Sequence, residues 1–403
     1  MHKRIIGDVK MSMWEECKEL QNDLVKMRRD LHQIPELGKI LPRTQEYILN
    51  ELEKLGIPYK CSKTDSSIIA DIVGGTPGKT IALRADMDAL PIKELNAVDY
   101  VSKNEGCMHA CGHDTHMTML LGAAKVLSQH KNELKGTVRL LFQTAEELSK
   151  GAQIMIADGA MAGVDAVFGQ HIGTILNKDI PAGKFILTPG CCMASFDRFV
   201  IKVEGHGCHG STPEKGIDPI NIASHIVISL QEVIAREISA TKPAVLTIGS
   251  IHGGNAYNAI PDTVMIEGTI RALEEPIRRK LAQRIEEIAN GVASTFGGTI
   301  EFEMDWGAPP VINNDAMAHL AIDAITKVAG SENVITQVPA PNMGGEDFAY
   351  FLNEVPGAFF FLSSSNKEKH TDVAHHNPLF NIDEDVLYLG SAAFVSIVEE
   401  FLK

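Results

Sequence analysis

The chain has 403 residues, of which 44% are hydrophobic and 22% charged, the balance of an ordinary soluble globular protein. That length allows two domains with sizeable cores, and a net charge of -15 excludes the basic face that nucleic acid or an anionic membrane requires. The seven cysteines (Cys17, Cys61, Cys107, Cys111, Cys191, Cys192 and Cys208) are odd in number, and MHKRIIGDVKMSMWEE has no apolar leader segment, so a reduced, cytoplasmic enzyme is expected instead of a disulfide framework.

The first half alternates strand-like and helix-like patterns. TIALRADMDAL (Thr80–Leu90) starts as an apolar run and ends in aspartates, and HMTMLLGAAKVLSQH (His116–His130) repeats apolar residues on a helical period. GTVRLLFQTAEE (Gly136–Glu147) reads as a buried strand ending in two glutamates, and DAVFGQHIG (Asp165–Gly173) as a strand ending in a histidine. Such alternation predicts an α/β fold with a mainly parallel central sheet and helices on both faces. Ligands of these sheets sit beyond the carboxyl ends of the strands, where the polar residues fall.

Near Cys191 the rhythm changes. A strand (Ser195–Gly205), a long amphipathic helix (Asp218–Ser239), the strands AVLTIGSIHGG and TVMIEGTIRAL, a helix opened by Pro276 and the strand TIEFEMDW give the order β-α-β-β-α-β. This predicts a ferredoxin-like domain at 196–307 inserted into a first domain made of 1–195 and 308–403.

MHACGHDTHM (Met108–Met117) packs ligand-type residues unusually densely. A lone His or Cys is usually a bystander, but further candidates recur at Glu146, Glu147, His171, His375 and His376, so one centre fed from several segments is expected. Cys111 and His113 are two apart and cannot share a helix face, which implies a loop before a helix starting near His116. Adjacent extended residues point in opposite directions, so one of Glu146 and Glu147 can bind a metal while the other serves as base toward water.

These stretches, with GHGCHGSTPEKGIDPI, GGNAYNAIPD, NMGGEDFAYF and HHNPLFNIDEDVL, resemble the M20 metallopeptidases, in particular the branch of N-acyl-amino-acid amidohydrolases (aminoacylases), hippurate hydrolases and auxin-conjugate hydrolases. The likeness begins at RRDLHQIPELG (Arg28–Gly38) and keeps the family order almost to the C-terminus. It implies a zinc-peptidase-like catalytic domain with an inserted ferredoxin-like lid. It also implies Cys111, His113, Glu147, His171 and His376 as ligands of two divalent metal ions (Zn, Mn, Co or Ni), with Glu146 as general base. His376 is preferred to His375 because the family reads His-x-Pro. Asp86 and Asp88 are implied as orienting residues behind the ligands. The lid residue His209 is implied as an oxyanion donor, often across a homodimer interface, and Asn258 and Arg271 as holders of the substrate carboxylate. Two adjacent antiparallel strands would bring that last pair onto one face. Thr144 departs from the family, which more often has proline there.

The activity implied is hydrolysis of the amide of an N-acyl amino acid, a small-molecule substrate. A dipeptidase or carboxypeptidase, or an N-acetyl-diaminopimelate deacetylase, would use the same chemistry. A non-catalytic metal-binding protein on this fold is disfavoured by Glu146, since a sensor needs no base beside its ligands.

Overall fold

Runs of Val, Ile, Leu and Phe bounded by Gly, Pro or Asp become strands here, and the 3.6-residue repeats between them become helices. The computed structural model describes residues 12–338 and 341–403. Residues 1–11, most of the stretch read for a leader, lie outside them. The chain divides into two units, Met1–Cys192 with Ile312–Ala340 and Asp347–Lys403, and Met193–Val311 with Pro341–Glu346. The segment Pro341–Glu346 was expected in the first unit. It groups with the second because Ala194 N–H donates to the carbonyls of Asn342 and Gly344.

The first unit is built, among the described residues, on an eight-stranded sheet. Its centre is parallel: Thr76–Asp86 lies between Lys135–Gln143 and Ala166–Gly173, and Gly357–Ser363 follows on the far side of the latter. The flanking strand Ile68–Val73 is antiparallel to Lys135–Gln143. The expected mainly parallel α/β sheet is therefore present. Ala166–Gly173 and Gly357–Ser363 are buried along their whole length, which is why they read as near-continuous apolar runs. Phe142, Phe168, Phe360, Leu83 and Ile172 fill the core against the helices His113–Gln129 and Leu387–Phe401.

The second unit has four antiparallel strands in the spatial order Ala244–Gly253, Thr263–Ala272, Asp197–Glu204, Thr299–Asp305. Its helices Pro219–Glu232 and Glu275–Thr295 pack Ile222, Ile226, Leu281 and Ile285 onto Phe199, Ile201 and Val203. That is the βαββαβ order with its expected strands. The first helix is shorter than expected: Val233–Glu237 winds as a π-helix and ends it.

Candidate metal centre

The helix after the CGHD run begins at His113, three residues earlier than expected. Gly112 ahead of it has φ +94, and a Cβ there would lie 2.8 Å from Ile172 Cγ2. Only glycine makes this close turn cheaply, and it separates Cys111 from the helix so that both Cys111 and His113 can serve one region. The dense run then splits. Asp114 pairs elsewhere, with Arg28 at 2.9 Å and His32 at 2.7 Å.

Hydrogen bonds fix which ring nitrogens are free. His113 Nδ1 donates to the Asp88 carbonyl at 2.7 Å, and His171 Nδ1 to the Ile172 carbonyl at 2.8 Å. Each ring therefore turns Nε2 toward the centre. His171 Nε2 lies 3.4 Å from Cys111 Sγ. His116, by contrast, is fully engaged: Nδ1 meets Asp86 Oδ1 at 2.6 Å and Nε2 accepts Ile172 N–H at 2.9 Å. Asp86 is also held by Arg84 at 2.6 Å.

The two glutamates sit on a turn, not on extended strand. Ala145 and Ser149 have φ +54 and +52. Their expected opposite directions do not arise, because Glu146 Oε2 and Glu147 Oε1 approach the same His113 Nε2, at 4.0 and 3.8 Å. The turn is anchored from three sides. Ala145 N–H donates to the Gly38 carbonyl at 3.1 Å, and Asp88 accepts the amides of Glu146 and Glu147. Thr144 Oγ1 donates to buried Asp65 at 2.8 Å, and its N–H to Ser67 Oγ at 3.3 Å. Proline at 144 would make neither bond. From the C-terminal side His376, with φ +60, donates its N–H to the Ala110 carbonyl at 2.9 Å and brings Nε2 to 3.5 Å from Glu147 Oε1.

Cys111, Glu147 and His376 thus converge, as do His113, Glu146 and Glu147, and Cys111, His171 and His375, each trio with ligand atoms within 4.8 Å of one another. The residues fit a cation centre on two observations. His113 Nε2 and Glu147 Oε1 are buried without a hydrogen-bond partner and face each other at 3.8 Å, the separation of two donors around one ion. Burial favours a neutral His113, yet Asp86, Asp88 and Glu147 outweigh it and hold its proton up to about 10, the signature of excess negative charge. Burial, then Glu147 and Glu146, push the Cys111 thiol well above its usual range, so a thiolate there calls for cations. Burial, with His116 and His375 nearby, keeps His171 neutral.

In the second unit His209 lies on the short strand Cys208–His209, paired with Ala259, and Gly210 N–H donates to the Asn258 carbonyl at 2.8 Å. His209 and Asn258 are neighbours, both exposed. Arg271 is not beside them. It sits near the far end of Thr263–Ala272, eight residues of strand or roughly 26 Å beyond Thr263, its guanidinium 5.1 Å from the Phe196 ring centroid. The expected meeting of Asn258 and Arg271 on one face does not occur within this unit. Asn258 lies before the strand begins and Arg271 where it ends.

Sequence reasoning assigned no role to His116, Arg84 or Asp65. The first two had a signal: His116 is three residues from His113 on one helix, and Arg84 shares a strand face with Asp86. Asp65 had none.

Residues 82–400 match Peptidase family M20/M25/M40. The N-acetyl-L-cysteine deacetylase of Bacillus subtilis is 41% identical over 373 residues, 92% of this chain and 86% of that protein. Thermostable carboxypeptidase 2 of Saccharolobus solfataricus is 38% identical over 398 residues, 98% of this chain and 99% of that one. Among solved structures, a Bacillus subtilis dinuclear metal binding peptidase from the M20 family superposes with a TM-score of 0.81 at 34% identity, covering 96% of this chain and 99% of the other.

Proposed function

The chain belongs to Peptidase family M20/M25/M40, and we propose that it hydrolyses the amide bond of N-acyl amino acids at a centre of two divalent metal ions. The observation that carries this reading is the convergence of Cys111, His113, Glu147, His171 and His376 donors with a further carboxylate, Glu146, beside them. Cys111, His113, Glu147, His171 and His376 would hold the ions, which when bound polarise the scissile carbonyl and acidify water. Glu146 takes a proton from the attacking water and returns it to the leaving amine nitrogen. Asp88 holds the turn that carries Glu146 and Glu147, while Asp86 and His116 brace the carboxyl ends of the strands behind them.

His209 stabilises the developing oxyanion, and Asn258 and Arg271 hold the substrate carboxylate. One copy of the second unit does not offer Asn258 and Arg271 to a single carboxylate, so the pair serves one substrate only when a second copy supplies one of them. A homodimer in which a second copy supplies one of the pair is part of this proposal. Cys17, Cys61, Cys107, Cys111 and Cys208 are free thiols, in keeping with the reducing, cytoplasmic setting of this reading. Among the described residues no helix is long and apolar enough to cross a membrane.

A carboxypeptidase acting on peptide bonds is the second reading, favoured by the Saccharolobus relative. The deciding experiment assays N-acetyl, N-benzoyl and longer acyl amino acids, N-acetyl-diaminopimelate among them, and dipeptides, after chelation and re-addition of Zn, Mn, Co or Ni. Acyl amino acids should turn over fastest with at least one metal. Faster dipeptide cleavage would replace the main reading, and no turnover with any metal would favour a non-catalytic metal-binding role.

A further inference from the structure

Two histidines stand side by side at the C-terminal edge of the centre, and only one of them is free to hold an ion. Thr174 N–H donates to His375 Nε2 at 3.1 Å. That nitrogen therefore carries the lone pair, and the proton of the neutral ring lies on Nδ1. Nδ1 is 3.8 Å from Cys111 Sγ, within N–H···S reach. A protonated Nδ1 cannot also be a ligand, so the proximity of His375 to Cys111 and His171 has another meaning.

The ring has a built seat. Gly173, at φ +116, lies against it so closely that a Cβ would fall 2.3 Å from His375 Nε2. The Phe380 ring covers it at 4.6 Å between centroids, and His171 stands edge-on at 5.0 Å. His375 is half-buried between these groups, whereas its neighbour His376 is exposed and turned by its left-handed backbone toward Glu147.

We propose that His375 is a positioning residue for the metal centre: its Nδ1–H donates to the Cys111 thiolate, and its Nε2 is anchored by Thr174 N–H. The proposal rests on the reading of Cys111 as a ligand. A thiolate that serves cations gives up charge to them and weakens them as Lewis acids. A donor on the sulfur draws some of that charge back and fixes the direction of its lone pairs.

An isosteric pair of variants separates the two contacts. His375→Asn places an N–H where Nδ1 was and keeps the sulfur contact, whereas His375→Gln places an acceptor where Nε2 was and keeps only Thr174. In the cobalt-loaded protein the thiolate-to-cobalt absorption band should move to longer wavelength in the Gln variant and stay near the wild-type position in the Asn variant. kcat should fall roughly 10-fold in the Gln variant, with KM little changed and with recovery in the Asn variant. A band that does not move in the Gln variant overturns the role of His375 while leaving Cys111 a ligand. Loss of one metal per chain from both variants overturns it in favour of His375 as a ligand. No thiolate band in the wild-type protein removes Cys111 from the centre, and the proposal with it. Should the Gln variant not fold, a shifted band in the Asn variant is enough to overturn the proposal.

Discussion

The Asp88 carboxylate accepts the backbone amide of Glu146 at 3.0 Å, and its second oxygen accepts that of Glu147 at 3.2 Å. One buried acid thus holds the turn on which two other acids are mounted, while its own backbone carbonyl sets the tautomer of His113. Asp88→Asn would place an amide NH2 against a backbone N–H and loosen the turn. We expect a folded protein whose metal affinity falls roughly 10–100-fold, with activity partly restored by excess metal. Metal titration followed by calorimetry reads this directly, and an unchanged affinity would show that the turn does not depend on Asp88.

Glu146 and Glu147 approach the same nitrogen of His113, so distance alone does not tell ligand from base. Glu147 Oε1 is buried without a hydrogen-bond partner, which favours the proposed division of Glu147 as ligand and Glu146 as base. Glu146→Gln should keep its metals and lose kcat by ~10²–10⁴-fold. Glu147→Gln should instead lose metal on dialysis. Elemental analysis beside kcat checks both, and the reverse pattern would swap the two roles.

His209 accepts the Ser211 amide at Nδ1 at 3.1 Å, with the Ser211 hydroxyl at 2.7 Å, which orients its ring on an exposed strand. His209→Ala should lower kcat by ~10²–10³-fold while leaving the metal content intact. An unaltered kcat in the variant ends its assignment as an oxyanion donor.

Arg271 is half-buried, and that burial lowers its pKa, with Asp197 working in the opposite direction. Lysine cannot reproduce the two parallel hydrogen bonds of a guanidinium to a carboxylate. Arg271→Lys should raise KM for N-acyl amino acids and scarcely affect the matching amides, which lack the charge. Measuring acid and amide substrates in both proteins closes a double cycle, in which zero coupling would mean that Arg271 does not read the carboxylate.

A pH effect is expected from His32, buried between Asp114 at 2.7 Å and Glu94 at 3.2 Å. Burial and Arg28 work against its charged form, but Asp114 and Glu94 prevail and its pKa is raised. A raised folded pKa means stability fully present below about 6.5 and lost as pH rises through the folded value. Wild type should therefore lose stability relative to His32→Gln as pH climbs from 6 to 9. Urea midpoints measured across that range would run parallel if His32 were already neutral.

Much of this protein was legible in the sequence, because strands and helices follow from local periodicity. The runs ending at Asp86, Gln143 and Gly173 became adjacent parallel strands, and the order of the second unit matched its pattern of strands and helices. The kinds of residue able to bind a metal were visible for the same reason: they cluster where apolar runs stop. Tertiary structure alone decided what each atom is free to do. That His113 offers Nε2, that His116 is spent on Asp86 and Ile172, and that His375 faces Cys111 with a proton depend on partners up to 264 positions away. It also decided that Glu146 and Glu147 lie on a turn, and that Asn258 sits in a turn ahead of the strand Thr263–Ala272 while Arg271 lies near that strand's far end. Spacing along a chain fixes which faces of a single element coincide. Hydrogen-bond direction and tautomer are set by groups that meet only when distant elements pack, so no local pattern encodes them.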